Sequence, residues 1–182
     1  MAHRSYQVTG IVLKRVNYGE KDRLVTLYSL ERGKLTVLAK GARRLTSSRR
    51  SVLEPATQGQ YFFVTGRTFN LLTQAQLGKS FYRAKANLTR IAQTWQVLEI
   101  IDHLTVENEP NVTVYSLLYE SLCLLVSDGL KKDRLLNNIH KLLRTLGFAA
   151  AEPMTAFALK ALIEDLSQKK LKTKSFLSLT LP

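Results

Sequence analysis

The apolar residues of this 182-residue chain follow two different periods, and the change falls near Ser80. Before it, apolar and polar residues alternate in short runs separated by turn residues, the pattern of half-buried strands. After it, apolar residues recur every three to four positions, the pattern of amphipathic helices. A stripe of helical period cannot lie on one face of a strand, so neither half can take the other's structure. The expected protein is α+β, with a β-domain at 1–80 and a helical domain at 81–182.

In the first part, Tyr6–Lys14 reads as a strand with Tyr6, Val8 and Val12 on one face and Ile11 and Leu13 on the other. Gly10 interrupts it as a bulge or a strong bend. After a polar turn at Asn17–Asp22 come Arg23–Ser29, the hairpin loop Glu31–Lys34, and a third strand at Leu35–Lys40. Gly41–Ser51 has no period and is polar, hence a loop. Tyr61–Thr65 and Asn70–Leu77 are the last two strands, around a Gly66–Arg67 turn. Five short strands leave exposed edges unless they close on themselves. The expectation is a five-stranded OB-fold barrel, with an SH3-like barrel as the competing reading.

The second part carries four stripes. Leu88, Ile91, Ala92, Trp95, Leu98, Ile101 and Leu104 form the first, broken at Glu109–Asn111. Val114, Leu117, Leu118, Ser121, Leu122 and Leu125 form the second, ended by Asp128 and Gly129. Asp133 is the expected cap of a third helix carrying Leu135, Leu136, Ile139, Leu142, Leu143 and Leu146, with Gly147 past its end. Residues 149–153 link to a fourth, capped by Thr155 and turning Phe157, Ala158, Ala161, Leu162 and Leu166 inward. These stripes need one another for burial, which gives a helical bundle.

Composition narrows the function. A lone cysteine, Cys123, supports neither an intrachain disulfide nor a cysteine zinc site, and its apolar neighbours mark it as buried and inert. His3, His103 and His140 are scattered, and the spacing of Glu99, His103 and Glu107 reads as surface charge pairing before it reads as a metal site. Glu20 with Asp22, and Glu164 with Asp165, are too close in sequence to face one another as an acid–base pair. No glycine-rich loop of Walker spacing occurs. The chain therefore reads as non-enzymatic, with no cofactor and no metal. No apolar run approaches the ~20 residues of a membrane span. Residues 1–6 lead directly into a strand without a signal-peptide core, so a cytoplasmic location is expected.

Charge supplies the positive signal. The formal net charge is +13. Residues 1–80 hold 14 Lys/Arg against 4 Asp/Glu, whereas residues 81–182 hold 13 against 10, so the excess belongs to the β-domain. It concentrates in Arg32, Lys34, Lys40, Arg43, Arg44, Arg49 and Arg50, a stretch with no acid between them. Such a loop neutralises phosphates and gives sequence-independent, salt-sensitive affinity for nucleic acid. Lys14, Arg15 and Arg67 sit at loop edges as further phosphate contacts. Single strands also need aromatic platforms. Tyr18, Tyr28, Tyr61, Phe62, Phe63 and Phe69 are the candidates, and alternation alone does not say which face the core.

The run Tyr6–Arg15, continuing through Tyr18–Ser29, then Gly33–Arg44 and Leu53-Glu54-Pro55, resembles the start of the RecO family of bacterial recombination-mediator and DNA-repair proteins. Leu142-Leu143 leading to Gly147-Phe148, and Leu171–Leu177, extend the resemblance less sharply. It implies an OB-fold, a helical bundle, binding to single- and double-stranded DNA, and annealing of complementary strands. It also implies recombinase loading with the partner RecR, a nucleoid-associated location, and contact with the acidic, Phe-ending tail of single-stranded-DNA-binding protein. Lys132, Arg134, Lys141 and Arg144 beside the apolar residues of the third helix are the candidates for that tail. Many members carry a four-cysteine zinc module after the position of Gly147-Phe148, and no cysteine follows it here, so a shortened form without zinc is expected. Two other functions fit the same charge: an RNA-binding OB-fold protein, and an adaptor that binds acidic protein tails.

Overall fold

The computed structural model describes residues 5–44, 50–81, 88–127, 132–150, 152 and 154–166. The strands are β1 (Ser5–Tyr18), β2 (Asp22–Ser29), β3 (Gly33–Ala39), β4 (Thr57–Val64) and β5 (Asn70–Ser80). The helices are α1 (Leu88–Leu104), α2 (Val112–Val126), α3 (Lys132–Thr145) and α4 (Ala156–Leu166). They form two compact units: Met1–Ser80 with Val106–Asn111, and Phe81–Thr105 with Val112–Pro182.

The strands close into a barrel in the order β1-β2-β3-β5-β4, β4 returning to β1. β3 skips β4 and pairs in parallel with β5 at Val37–Asn70 and Leu38–Leu71, while the other pairings are antiparallel. Consecutive hairpins would join β3 to β4, so this order selects the OB-fold over the SH3-like reading. Alternation fills the interior with Val8, Val12, Val25, Leu27, Leu35, Val37, Tyr61, Phe63 and Leu72. Ala42, Val52 and Leu53 join that core from the long loop between β3 and β4. The Tyr61 hydroxyl lies 3.1 Å from the Val52 carbonyl and 3.3 Å from that of Thr57, so this buried polar group has acceptors.

Three local expectations change. The irregularity in β1 lies at Leu13, where the register with β2 shifts between Val12 and Lys14. Gly10 is instead a close approach, because a Cβ there would stand 2.7 Å from Cδ1 of Leu27. β1 also runs on to Tyr18, so Lys14 and Arg15 lie within a paired strand and not at a loop edge. β4 begins at Thr57, four residues before its apolar run, because barrel closure pairs Gln58-Gly59-Gln60 with β1 and β5 and buries Thr57 and Gly59, which carry no apolar signal. A sixth stretch of chain completes the barrel unit. Val106–Asn111, between α1 and α2 in sequence, runs along β3, where Asn108 N–H donates to the Lys34 carbonyl at 2.9 Å and the Thr36 hydroxyl donates to Glu107 Oε1 at 2.6 Å.

In the helical unit the α2 stripe is buried at every expected position. In α3, Leu135, Ile139, Leu142 and Leu143 are buried, while Leu136 and Leu146 are half-buried. Its C-terminus closes as a Schellman turn: Gly147 has φ 81°, Phe148 N–H donates to the Leu143 carbonyl, and Gly147 N–H to that of Arg144. Asp133 falls in the first turn of α3 and not at its cap, because the helix starts one residue earlier. Thr155 caps α4 through Ala158 N–H at 3.2 Å. Two aromatics depart from the stripes. Trp95 is partly exposed because α1 is rotated to bury Gln93, Gln96, Val97 and Ile100. Phe157 is 81% exposed, and Leu159 and Ile163 take the buried face of α4. Asp128, Gly129 and residues 171–177 lie outside the described residues, as do the side chains of Glu164 and Leu166.

This packing predicts opposite outcomes for two truncations. Leu53→Ala, at a fully buried position, lowers unfolding free energy by about 2–5 kcal/mol in urea denaturation. Phe157→Ala changes it by less than about 0.5 kcal/mol.

Candidate nucleic-acid interface

β3 divides the cationic stretch in two. Arg32 and Lys34 stand at its start, and Lys40, Arg43, Arg44 and Arg50 follow its end, a strand length of about 20 Å away. At the first end the Arg32 guanidinium lies 4.2 Å over the Tyr6 ring, a cation–π contact that holds it flat. Both carboxylate oxygens of Glu31 accept from Thr9 N–H. This hairpin is thus a mixed-charge structure, and the single cationic surface expected from sequence is two. Arg49, Ser47 and Ser48 lie outside the described residues.

At the other end, two turns are tied together. Asp22 Oδ1 accepts from Gly41 N–H at 2.8 Å. Arg43 N–H donates to the Lys21 carbonyl at 3.0 Å, and Arg43 Nη1 to the Gly19 carbonyl at 2.8 Å. Gly19 and Gly41 both have positive φ, 59° and 67°, which lets each turn reverse tightly. Ala42, fully buried, pegs the second turn into the core. Asp22, one of the acids weighed for catalysis, therefore serves as the clasp between the turns. Lys40, Arg43 and Arg44 project from this clasp, exposed.

Beside it lies a group of guanidinia that the sequence only half discloses. The register shift at Leu13 turns Lys14 outward and sets Arg15 opposite Val25, on the face that lines the barrel. Arg23 stands opposite Asn17 on β1 and Ala39 on β3, on that same face. Arg15 pairs with Glu54 through Nη1 and Oε1. Nε and Nη1 of Arg23 are buried and have no hydrogen-bond partner among the described residues. Burial, then the charge of Arg15, hold the Arg23 pKa below the usual arginine value. Glu54 opposes this, and Arg50 and Arg43 add to it. Arg23 thus feels three other guanidinia and one carboxylate, and Arg15 is the arginine that contacts that carboxylate. Arg23 is not marked by sequence because it ends the mixed run Glu20-Lys21-Asp22, whose acids offset its charge, and then opens an apolar strand. Its parity with Val25 and Leu27 was the available signal.

The aromatics now separate. Tyr61, Phe63 and Tyr28 are buried, and Phe62 is half-buried on the outer face. Tyr18 is 46% exposed and meets Phe69 edge-to-face, with ring centroids 6.0 Å apart. This contact joins the β1–β2 turn to the β4–β5 turn, the two loops with which OB-folds hold oligonucleotides. Arg67 is exposed two residues from Phe69. An exposed ring braced by a half-buried one and flanked by arginines can stack a base while its phosphates are neutralised.

In the helical unit, Arg134 and Lys141 of α3 line a groove of about 640 Å³ with Tyr119, Cys123 and Leu124 of α2. Cys123 is half-buried at this groove, which corrects its reading as a core thiol. Arg144 is exposed outside the groove, and the Lys132 side chain lies outside the described residues. His103 Nε2 stands 3.7 Å from Glu99 Oε1, and Glu107 is engaged by Thr36. No group of three metal-ligating side chains occurs among the described residues. No helix there is long and apolar enough to cross a membrane.

Comparison with known proteins agrees with the barrel. Residues 1–81 match the family described as Recombination protein O N terminal. The chain is 30% identical over 148 residues to the DNA repair protein RecO of Desulforamulus reducens, covering 81% of this chain and 56% of that protein. It is 36% identical over 125 residues to the DNA repair protein RecO of Salinibacter ruber, covering 67% and 48%. The chain spans about half the length of the curated relatives it matches. By its barrel, and by sequence identity that continues past the barrel into the helices, the chain belongs to the RecO family.

Proposed function

We propose that this chain binds DNA at the end of the barrel where Arg15, Arg23, Arg43, Arg44 and Arg50 gather beside the Tyr18–Phe69 pair, and that it anneals complementary strands in recombinational repair. The observation that carries this reading is the half-buried pair Arg15 and Arg23 on one face of the barrel, Arg15 held by Glu54, on an OB-fold whose exposed Tyr18 ring meets half-buried Phe69. Its relatives' name, DNA repair protein RecO, points the same way. The mechanism is electrostatic. Arginines neutralise phosphate repulsion between two strands, so complementary bases meet more often, and stacking on Tyr18 and Phe69 holds unpaired bases outward. No bond is made or broken in this scheme, so it needs neither catalytic residue nor cofactor. The protein would act in the cytoplasm, at the nucleoid.

The groove lined by Arg134 and Lys141 supports the partner reading. It pairs apolar lining with two cations against one carboxylate, Glu120, an excess of positive charge that suits an acidic tail with a terminal Phe. In this proposal the tail of single-stranded-DNA-binding protein docks there, and RecR joins the complex to load recombinase. The competing reading is RNA binding by the same barrel. Equal-length RNA and DNA single strands compete for the site, and a strong preference for RNA would replace the repair role.

Log affinity for single-stranded DNA should fall linearly with log salt in anisotropy titrations. Replacing Arg43, Arg44 and Arg50 with alanine should reduce the magnitude of that slope by about 2. Unchanged binding would remove the loop from the site. Tyr18→Ala and Phe69→Ala should each weaken single-strand binding by about 1–3 kcal/mol, with a smaller effect on duplex. The Arg134→Ala, Lys141→Ala double variant should anneal bare strands normally. It should lose the advantage conferred by the acidic tail when the strands are coated with single-stranded-DNA-binding protein.

A further inference from the structure

The guanidinium of half-buried Arg23, whose Nε and Nη1 are withdrawn from water without a hydrogen-bond partner among the described residues, is the least expected group in the barrel. Its strand position is one that Val25 and Leu27 fill with apolar side chains in the same row. Guanidinium nitrogens withdrawn from water without a partner cost stability. Nothing in the packing requires it, since Ala39 and Asn17 across the sheet make no hydrogen bond to its Nε or Nη1. A second feature converges on the same spot. The bulge at Leu13 brings Arg15 to this face, diagonal to Arg23, where such neighbours lie about 7–8 Å apart. Arg50 and Arg43 act on Arg23 from the loop. The anion present is Glu54, and the fold fixes it firmly. Leu53 beside it is fully buried, Ala56 N–H donates to the Val12 carbonyl at 2.9 Å, and Ala56 holds φ at 58°.

We propose that Arg15 and Arg23 form a seat for one backbone phosphate, and that the Glu54 carboxylate is the built-in anion with which that phosphate competes. The inference rests on the DNA-binding reading and adds a regulator to it. A carboxylate and a phosphate present similar oxygen pairs to a guanidinium fork. Glu54 engages Arg15, which keeps the arginines from collapsing apart and also opposes entry of a second anion. A small free anion gains one contact and must overcome that repulsion alone. A strand gains the exposed Lys40, Arg43 and Arg44 contacts at the same time and so enters. Glu54 thus sets a threshold that favours polyanions over single phosphates.

The test uses the full chain, an oligodeoxythymidine strand, and inorganic phosphate as the single-anion probe. Glu54→Gln keeps the side chain's size and removes its charge. It should bind the strand about tenfold tighter, with a salt slope steeper by about 0.7, one added phosphate contact. It should also be inhibited by inorganic phosphate more than by chloride at equal ionic strength, whereas the parent responds to both alike. Arg23→Met should bind the strand about tenfold weaker, with no loss in thermal midpoint, because it removes two buried nitrogens that have no partner among the described residues. If Glu54→Gln binds no tighter and phosphate acts only through ionic strength, the seat is overturned. A lower thermal midpoint for Arg23→Met with unchanged strand binding would assign Arg23 to structure and also overturn it. In both cases a steep parental salt slope leaves DNA binding standing. A parent that fails to bind the strand would instead remove the functional reading on which the seat rests.

Discussion

Closing a five-stranded barrel obliges β1 to pair on both sides at once. Gly10 faces Ser29 on β2 and Gly59 on β4 in the same row, so three small residues lie abreast where the sheet curls most tightly. A Cβ on Gly10 would strike Leu27, and one on Gly59 would stand 2.3 Å from the Gln76 carbonyl. At Gly59 the backbone itself leaves no room for a side chain, and at Gly10 the space is filled by the Leu27 side chain from a neighbouring row. Past Ile11, the last residue matched to β4, β1 continues with β2 alone, and there the extra residue is accommodated. The bulge therefore sits where the strand is relieved of one partner, and it decides which side chain of the pair Lys14 and Arg15 enters the barrel's lining.

Two kinds of positive charge follow from that geometry. Lys14, Lys40 and Arg44 are solvated and exposed, suited to long-range attraction that salt screens. Arg15 and Arg23 are held on strands, half-buried, with their directions fixed by backbone pairing. The first kind raises the frequency of encounter. The second gives a bound backbone a position and a register, because a guanidinium on a strand cannot follow a phosphate that is out of place. The clasp of Asp22 to Gly41 and of Arg43 to Lys21 holds the two kinds side by side.

Much of this was legible in the residues. Period alone separated strands from helices, and the α2 stripe and the Gly147 stop were read correctly because burial and capping are local matters. The barrel core was readable from alternation in β2 and β3. The failures have physical causes. Thr57–Gln60 carries no apolar alternation, because the positions buried there are Thr57 and Gly59, which hydropathy does not mark. The shift at Leu13 leaves no mark that distinguishes it from Gly10, so the orientation of Arg15 was hidden, and with it the company of Arg23. Charge counting finds cations that cluster in sequence. It passes over those that cluster only after strands pair. Phe157 and Trp95 look like core residues by spacing, yet the helix rotation that packs Ile100 and Ile163 turns them outward.

The run from Val106 to Asn111 has a consequence for the barrel as a separable part. β3 pairs with β5 only at Val37 and Leu38. Its preceding residues would offer a bare row of amides and carbonyls on that side, and an open row of this kind invites another chain to add a strand. The backbone of Asn108 and the side chain of Glu107 cover that row. Protection of the barrel against self-association is thus written into sequence that follows α1, beyond the barrel's own last strand. A fragment that stops with β5 would keep all five strands and lose the guard on its edge.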